Sequence, residues 1–380
     1  MRIRMRATAA LAALSLALLT ACGGGDTTAD ETSGSTETGA SAEVAPAEIT
    51  LAIASAVIGP KEEVAVYAVA TELGYFEEEQ LTVETINADG SIAAVQAVGT
   101  GQADITPSDT GSILAAVQNG VPVTTVGGLV QNWPWQMATL PGSDITSPED
   151  LRGKRIGVIS LASGSAPYAR AFVAAGGLNP ETDVELLPVG VGAQAAAALT
   201  GNQVDVLALY TQAYTVIENS GTELAYLDNP EVFDGIRSLS FAASDNRLEN
   251  DRSAIERFLR ASYKAMLFSA QNPEAAMRIG YKVFPQILGG ESVENRLDDD
   301  VASLTTWLKS ATPATGEPSS FTDWGAIPDA DWEATQAYTQ EAGQIEGPVE
   351  LADVWDGSLL TFANDFDSAA VIEQADSWTE

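Results

Sequence analysis

Residues 69–84 have the sequence VATELGYFEEEQLTVE, in which a predicted helix ends at Gly74 and a predicted strand begins at Leu81. The preceding residues 61–73 carry apolar side chains at helical spacing, and residues 49–54 form an apolar run typical of a buried strand. A strand, a helix and a second strand therefore follow one another, which is the order of a parallel β/α/β unit.

The same alternation of short strands and helices continues far beyond this segment. Further strands are predicted at residues 103–106, 121–129, 155–159, 184–188, 204–209 and 224–227. Further helices are predicted at residues 91–98, 111–118, 165–175, 193–199 and 212–219. The alternation predicts an α/β fold with mostly parallel sheets flanked by helices, and the part beyond Asp251 is predicted to be mainly helical.

The N-terminus is predicted to be a targeting segment. Three arginines precede an uncharged apolar run at residues 7–21, which is shorter than the about 20 residues that a membrane-spanning helix needs. Cys22, the only cysteine, follows small residues and resembles the acylated cysteine of a bacterial lipobox, although an ordinary signal with a chance cysteine is the alternative. We expect residues 1–21 to be a lipoprotein signal peptide, Cys22 to carry the lipid, and residues 22–47 to be a disordered tether.

Composition excludes several classes of function. Lysine and arginine total 18 against 53 aspartates and glutamates, a net charge of −35, which argues against nucleic acid as a partner. The sequence has no histidine, and this excludes Ser-His-Asp and Cys-His catalysis and histidine-based zinc sites. No phosphate-binding loop or dinucleotide fingerprint is present. A pair of carboxylates is the catalytic arrangement that stays open, but no spacing in the sequence singles out such a pair. We therefore predict a protein that is not an enzyme and has no cofactor or metal.

Four motifs carry a resemblance to a known family. They are residues 69–84, the SPEDLRGKRIGV segment at 147–158, and two similar turns, GQAD at 101–104 and GNQVD at 201–205. In this order they resemble the nitrate/sulfonate/taurine and thiamine-precursor (NMT1/SsuA-like) type of solute-binding protein of ABC importers. The resemblance extends over residues 48–229.

The resemblance implies a type 2 periplasmic-binding-protein-like fold with two lobes, a ligand cleft between them and a helical C-terminal part. Lobe 1 would comprise residues 48–138 and 243–380, and lobe 2 residues 139–242. The chain would cross between lobes near residues 137–142 and return near 237–243.

Candidate ligand-binding residues lie where the predicted strands end. In open α/β sheets, ligands bind beyond the carboxyl ends of strands, where helix N-termini supply N–H donors. The candidates at these positions are Ser55, Ala56, Gly90, Ser91, Asp109, Ser163, Gly164, Ser165, Gln194, Tyr210 and Gln212. The small turn at 163–165 matches the serine-rich turn that the family uses to hold its ligand. The alternative is that these residues only cap helices, a position that Ser, Asp and Thr favour.

Two tryptophans beside the predicted crossing are further candidates. Trp133 and Trp135 could form an aromatic wall of the cleft, or they could pack in the core near the hinge. The tryptophans of the helical C-terminal part are expected to be structural, and these are Trp307, Trp324, Trp332 and Trp355.

The resulting prediction is an exported lipoprotein, anchored through Cys22 to the outer face of the bacterial cytoplasmic membrane. As a monomer it would bind a small organic or oxyanion solute, such as a sulfonate, nitrate or a pyrimidine-like compound, for an ABC permease and its ATPase. A lipid-tethered ligand sensor is the first alternative. A carboxylate-dependent enzyme is another, whereas pyrimidine-precursor synthases of the same fold use histidines, which this chain lacks.

Overall fold

The computed structural model describes residues 45–313 and 315–379. The predicted signal peptide, the lipidation site Cys22 and the tether up to residue 44 lie outside the described residues. The strands are β1 (Ala47–Ile53), β2 (Leu81–Asn87), β3 (Ile105–Asp109), β4 (Val123–Val130), β5 (Trp135–Thr139), β6 (Arg155–Val158), β7 (Glu185–Pro188), β8 (Val206–Tyr210), β9 (Ala225–Leu227) and β10 (Leu239–Ser244).

Helices cover the sheets and form most of the C-terminal part. A π-helical turn, Glu63–Ala68, leads into α1, and a 3-10 turn, Glu231–Phe233, lies between β9 and β10. The helices are α1 (Val69–Glu72), α2 (Tyr75–Glu78), α3 (Ser91–Gly99), α4 (Thr110–Gln118), α5 (Ser165–Ala175), α6 (Ala193–Thr200), α7 (Thr211–Asn219), α8 (Asp245–Gln271), α9 (Pro273–Val283), α10 (Val293–Ala311), α11 (Asp329–Glu341), α12 (Leu351–Val354), α13 (Leu360–Ala363) and α14 (Ser368–Asp376).

The two sheets share one plan. The first has the strand order β2-β1-β3-β10-β4, and the second has the order β7-β6-β8-β5-β9. In each sheet the fourth strand runs antiparallel to its neighbours, and the other strands run parallel to one another. This arrangement confirms the predicted two-lobed α/β fold with mostly parallel sheets.

The antiparallel strands are the ones that connect the lobes. The chain leaves the first sheet after β4 and enters the second as β5, and it returns from β9 to the first sheet as β10. The first change of sheet, between Val130 and Trp135, comes a few residues before the predicted position at 137–142. The second, between Leu227 and Leu239, overlaps the predicted position at 237–243. Strands β5 (WQMAT) and β10 (LSFAAS) were not predicted from the sequence. Pairing places residues 135–138 with the second lobe and 239–242 with the first.

The two similar turns of the sequence have the same structural role. The carboxylate of Asp104 accepts a hydrogen bond from the backbone N–H of Thr50 at 2.7 Å, which ties β3 to β1. The carboxylate of Asp205 accepts one from the backbone N–H of Arg155 at 2.8 Å, which ties β8 to β6. The similar sequences of the two turns therefore reflect equivalent positions in two lobes of the same topology.

The C-terminal helices pack against both lobes. Helix α10 contacts α7 of the second lobe, where the hydroxyls of Thr306 and Thr215 are 3.4 Å apart. Helix α11 contacts α4 of the first lobe and α5 of the second, and Tyr338 of α11 belongs to the apolar core of the second lobe. Within residues 45–313 and 315–379, every helix is too short or too polar to cross a bilayer.

Candidate ligand-binding cleft

A cavity of about 500 Å³ lies between the two lobes. Helices α3 and α4 of the first lobe, and α5, α6 and α7 of the second, begin beside it, where the strands that precede them end. The volume falls within the about 300–1,000 Å³ that is typical of small-molecule sites. The topology therefore forms a ligand-sized cleft at the carboxyl ends of both sets of parallel strands.

Most of the predicted ligand-binding residues meet at this cavity. Those that line it are Ser55, Ala56, Gly90, Ser91, Asp109, Trp135, Ser163, Gly164, Gln194, Tyr210 and Gln212. They come from both lobes, because each lobe has its own parallel strands and the carboxyl ends of both sets border the cavity. Their contact with a ligand stays a prediction.

Ser165 and Trp133 lie behind the cleft wall instead. Ser165 is fully buried, and its hydroxyl accepts a hydrogen bond from the backbone N–H of Ile159 at 2.8 Å, so it joins α5 to the end of β6. Trp133 stacks on Phe233 with ring centroids 5.5 Å apart. Trp133 therefore packs against the apolar core of the second lobe, as in the alternative to a place in the cleft wall.

Aromatic rings form one side of the cleft. The Trp135 and Tyr210 rings meet edge to face, with centroids 5.6 Å apart, and the indole N–H of Trp135 donates to the hydroxyl of Ser238 at 3.1 Å. Trp307 of α10, which was predicted to be structural, also contributes to the wall although it is almost completely buried. These rings offer flat apolar surface to a planar solute.

Helix N-termini provide hydrogen-bond donors. In the described part of the chain, four helices beside the cleft have an N-cap residue whose side chain makes no hydrogen bond to the backbone N–H groups of the first turn. These N-cap residues are Gly90, Gly164, Gly192 and Tyr210. Helix α4 differs, because the carboxylate of Asp109 accepts hydrogen bonds from the N–H and the hydroxyl of Ser112 at 2.8 and 2.9 Å. The first N–H groups of the four other helices can serve acceptor atoms of a ligand.

Three consecutive charged residues beside the cleft were not among the predicted ligand-binding residues. Lys61, Glu62 and Glu63 are all more than nine-tenths buried, and Lys61 and Glu62 line the cavity. The Lys61 ammonium contacts Glu62 Oε1 at 2.5 Å and also contacts Glu63 Oε1. Charges at the start of a helix are usually solvated, but here the π-helical turn that begins at Glu63 belongs to a helix that is buried on most sides. The apolar residues that follow, at 64–66, were the feature of the sequence that could have indicated burial of this helix start.

The buried charges act on one another and on Tyr210 of the second lobe. Burial lowers the pKa of Lys61, but the carboxylates of Glu62 and Glu63 outweigh burial and raise this pKa above its ordinary value. Burial raises the pKa of Glu63 to about 7, although Lys61 opposes the shift. Burial also raises the pKa of Tyr210 to about 12, with Lys61 lowering it and both glutamates raising it. The charge cluster of the first lobe therefore faces Tyr210.

Replacement of Glu63 by glutamine is expected to change the pH dependence of stability. The pKa of Glu63 is about 7 in the folded protein against an ordinary value of 4.5, so between these values the folded state binds a proton that the unfolded state lacks. The contribution of Glu63 to stability is therefore present below pH 4.5 and is lost as pH rises through 7. The free energy of unfolding of Glu63→Gln, measured by chemical denaturation, should therefore rise relative to that of the wild type when the pH is raised from 5 to 8. Glu181→Gln, at an exposed position, is the control and should show no such change with pH. If Glu63→Gln differs from the wild type by the same free energy of unfolding at pH 5 and at pH 8, the prediction is wrong.

The fold and the cleft define a class of protein, the two-lobed periplasmic-binding-protein-like class. Two lobes of equal topology, connected by two crossing segments, enclose a ligand-sized cavity between them. Within this class the chain belongs to the NMT1/THI5-like family, whose model matches residues 61–276, more than half of the chain.

Curated relatives of the chain include binding proteins and an enzyme. The riboflavin-binding protein RibY of Chloroflexus aurantiacus is 27% identical over 92% of this chain and 96% of that protein. The formylaminopyrimidine-binding protein of Halalkalibacterium halodurans is 26% identical over 56% of this chain and 64% of that protein. A 4-amino-5-hydroxymethyl-2-methylpyrimidine phosphate synthase of Legionella pneumophila is 24% identical over 58% of this chain and 69% of that protein.

Solved structures share the fold. The alkanesulfonate-binding protein SsuA from Xanthomonas axonopodis pv. citri, bound to MOPS, superimposes with a TM-score of 0.60. The alignment covers 82% of this chain and 99% of that chain, at 17% sequence identity. At this identity the likeness concerns the fold and not the ligand.

Proposed function

We propose that this protein is an exported, lipid-anchored substrate-binding protein that captures a small solute in the interlobe cleft and delivers it to an ABC importer. The observation that carries the proposal is the cavity of about 500 Å³, lined from both lobes by aromatic rings, unpaired polar atoms and helix N-termini. Hinge closure of two lobes buries a ligand and gives the loaded protein a shape that a permease can distinguish from the empty one.

The relatives support binding rather than catalysis. The relative that matches almost the whole chain is named for riboflavin binding, whereas the synthase matches little more than half of it. The chain lacks histidine, so the general bases that such enzymes use are absent from its sequence. The anchor at Cys22 is part of the proposal, since it would hold the binding protein next to a membrane importer.

A thermal unfolding screen tests solute binding. The full chain with Cys22→Ser would be combined with sulfonates, nitrate, pyrimidines, flavins and amines. A solute that binds the folded state should stabilise it by about 2.7 kcal/mol at a hundredfold excess over Kd. Ala193→Trp, at an exposed position of the cleft wall, should abolish this gain because the indole would fill the cleft.

Ala352→Trp is the matched control, because Ala352 is also exposed but lies in α12, away from the cleft wall. This variant should keep the response to the solute. If no solute stabilises the wild type, or if Ala193→Trp responds like the wild type, the proposed function is wrong. Turnover of a bound solute would contradict the assignment as a non-enzyme.

A further inference from the structure

Two buried hydrogen-bond acceptors line the cleft without a partner. Glu62 is 8% exposed; its Oε1 contacts Lys61, whereas its Oε2 is buried and has no hydrogen-bond partner in the described part of the chain. Gln212 is 6% exposed, and its Oε1 is likewise buried and unpaired within residues 45–313 and 315–379. Buried polar atoms are nearly always hydrogen-bonded, and one that is left without a partner costs about 1–3 kcal/mol.

The two acceptors come from opposite sides of the cleft. Glu62 precedes the π-helical turn of the first lobe, and Gln212 lies in the first turn of α7 in the second lobe. Both residues line the same cavity between the lobes, so the two sides face each other across it. A solute with hydrogen-bond donors at both ends could satisfy both acceptors and hold the lobes closed.

The charge of the cleft wall opposes anions. Among the described lining residues, Lys61 is the single cation, and Glu62, Asp89 and Asp109 supply carboxyl groups. The Lys61 ammonium is already bound by Glu62 and by Glu63 behind the wall. An oxyanion would therefore meet a lysine whose charge is compensated, together with further carboxyl groups.

The rest of the wall accommodates acceptor atoms and a ring. An ammonium has three N–H donors, of which Lys61 gives two to the carboxyl groups of Glu62 and Glu63, so one donor is left for a ligand. The helix N-termini add further donors. An adjacent donor and acceptor match the N–H and C=O edge of a cyclic amide, and Trp135 and Tyr210 provide apolar surface for its ring.

We propose that the cleft selects an uncharged or positively charged ring compound whose N–H or O–H groups donate to Glu62 and Gln212, and that it rejects sulfonates and nitrate. The proposal rests on the proposed function and assigns its ligand class. Glu62 and Gln212 are then the residues that determine specificity, since a sulfonate group and nitrate carry no donor hydrogen.

Isothermal titration calorimetry on the full chain with Cys22→Ser tests the ligand class with matched probes. The donor-bearing probes are riboflavin and uracil, their partners without the ring donors are 3-methylriboflavin and 1,3-dimethyluracil, and the anions are ethanesulfonate and nitrate. We expect at least one of riboflavin and uracil to bind, and the methylated form of that compound to bind at least about tenfold more weakly. Ethanesulfonate and nitrate should not bind. Glu62→Gln replaces the charged acceptor by a neutral amide, and loss of the charge-assisted hydrogen bond should weaken binding about tenfold to a hundredfold.

Two further variants complete the test. Gln212→Leu should also weaken binding, and it provides a second readout if Glu62→Gln does not fold. Glu181→Gln, at an exposed position away from the cleft wall, is the matched control and should bind like the wild type. Binding of ethanesulfonate or nitrate, or ring binding that is unchanged in both cleft variants, would overturn the ligand class and leave the proposed function intact. Absence of binding by every probe would also overturn the ligand class, and the thermal unfolding screen would then decide the proposed function.

Discussion

Replacement of Phe233 by alanine is expected to lower the free energy of unfolding by about 3–5 kcal/mol, the usual cost of removing a buried phenylalanine ring. Phe233 is 2% exposed and contacts four other rings, with centroid distances from 5.1 to 6.2 Å. We call these five residues the hinge aromatic cluster, and they are Trp133, Tyr168, Phe172, Phe233 and Tyr338.

The hinge aromatic cluster gathers parts of the chain that are distant in sequence. Trp133 lies on the segment that enters the second lobe, Phe233 on the segment that leaves it, and Tyr338 on α11. The alanine variant would leave a cavity at the place where both crossing segments meet, so its cost should lie near the upper end of the range.

Urea denaturation measures this effect. Tyr226→Ala is the control, because Tyr226 is 41% exposed on β9 and contacts a single ring among the described aromatic pairs, that of Tyr214. The control should cost less than half as much as Phe233→Ala. A loss below about 1 kcal/mol for Phe233→Ala would mean that the crossing segments do not depend on the hinge aromatic cluster.

The two lobes were expected from the resemblance to a known family, whereas most of the residues that line the cleft were predicted from a local rule. A parallel β/α unit places the residue after each strand at the same edge of the sheet, so Ser55, Ser91 and Asp109 could be identified without knowledge of the tertiary structure. The same rule identified Gln212 after β8. Each of these residues lines the cavity.

Tertiary contacts decided what the sequence could not predict. Trp133 and Trp135 are two residues apart, yet only Trp135 lines the cleft, since Trp133 packs on Phe233 from a distant segment. Lys61 and Glu62 have the pattern of a solvated helix start, but packing on most sides of the following helix buries them. Helical periodicity describes one helix and does not specify which of its neighbours exclude water.

Gly90→Ala is expected to weaken ligand binding about tenfold to a hundredfold. The residue has φ of +87° and ψ of 178°, a conformation almost restricted to glycine, and strain of this kind costs about 1–3 kcal/mol. A Cβ atom at Gly90 would also lie 2.9 Å from the carbonyl oxygen of Ala162, which belongs to the opposite lobe. The backbone strain acts on the folded protein as a whole, whereas the collision acts only when the lobes are closed.

The collision should therefore appear in affinity, beyond any loss of stability. Overpacking by a methyl group costs about 1–3 kcal/mol, and each 1.4 kcal/mol changes Kd tenfold. Gly101→Ala is the control, because Gly101 also has positive φ, at +73°, but a Cβ atom there would meet no atom of the described residues within 4 Å. Calorimetry with a solute from the thermal screen should show unchanged affinity for Gly101→Ala, despite a lower melting temperature, and weaker binding for Gly90→Ala. Equal affinities in the two variants would show that the ligand is bound without the close approach of Gly90 to Ala162, and hence that the closed arrangement of the lobes is not the one that holds the ligand.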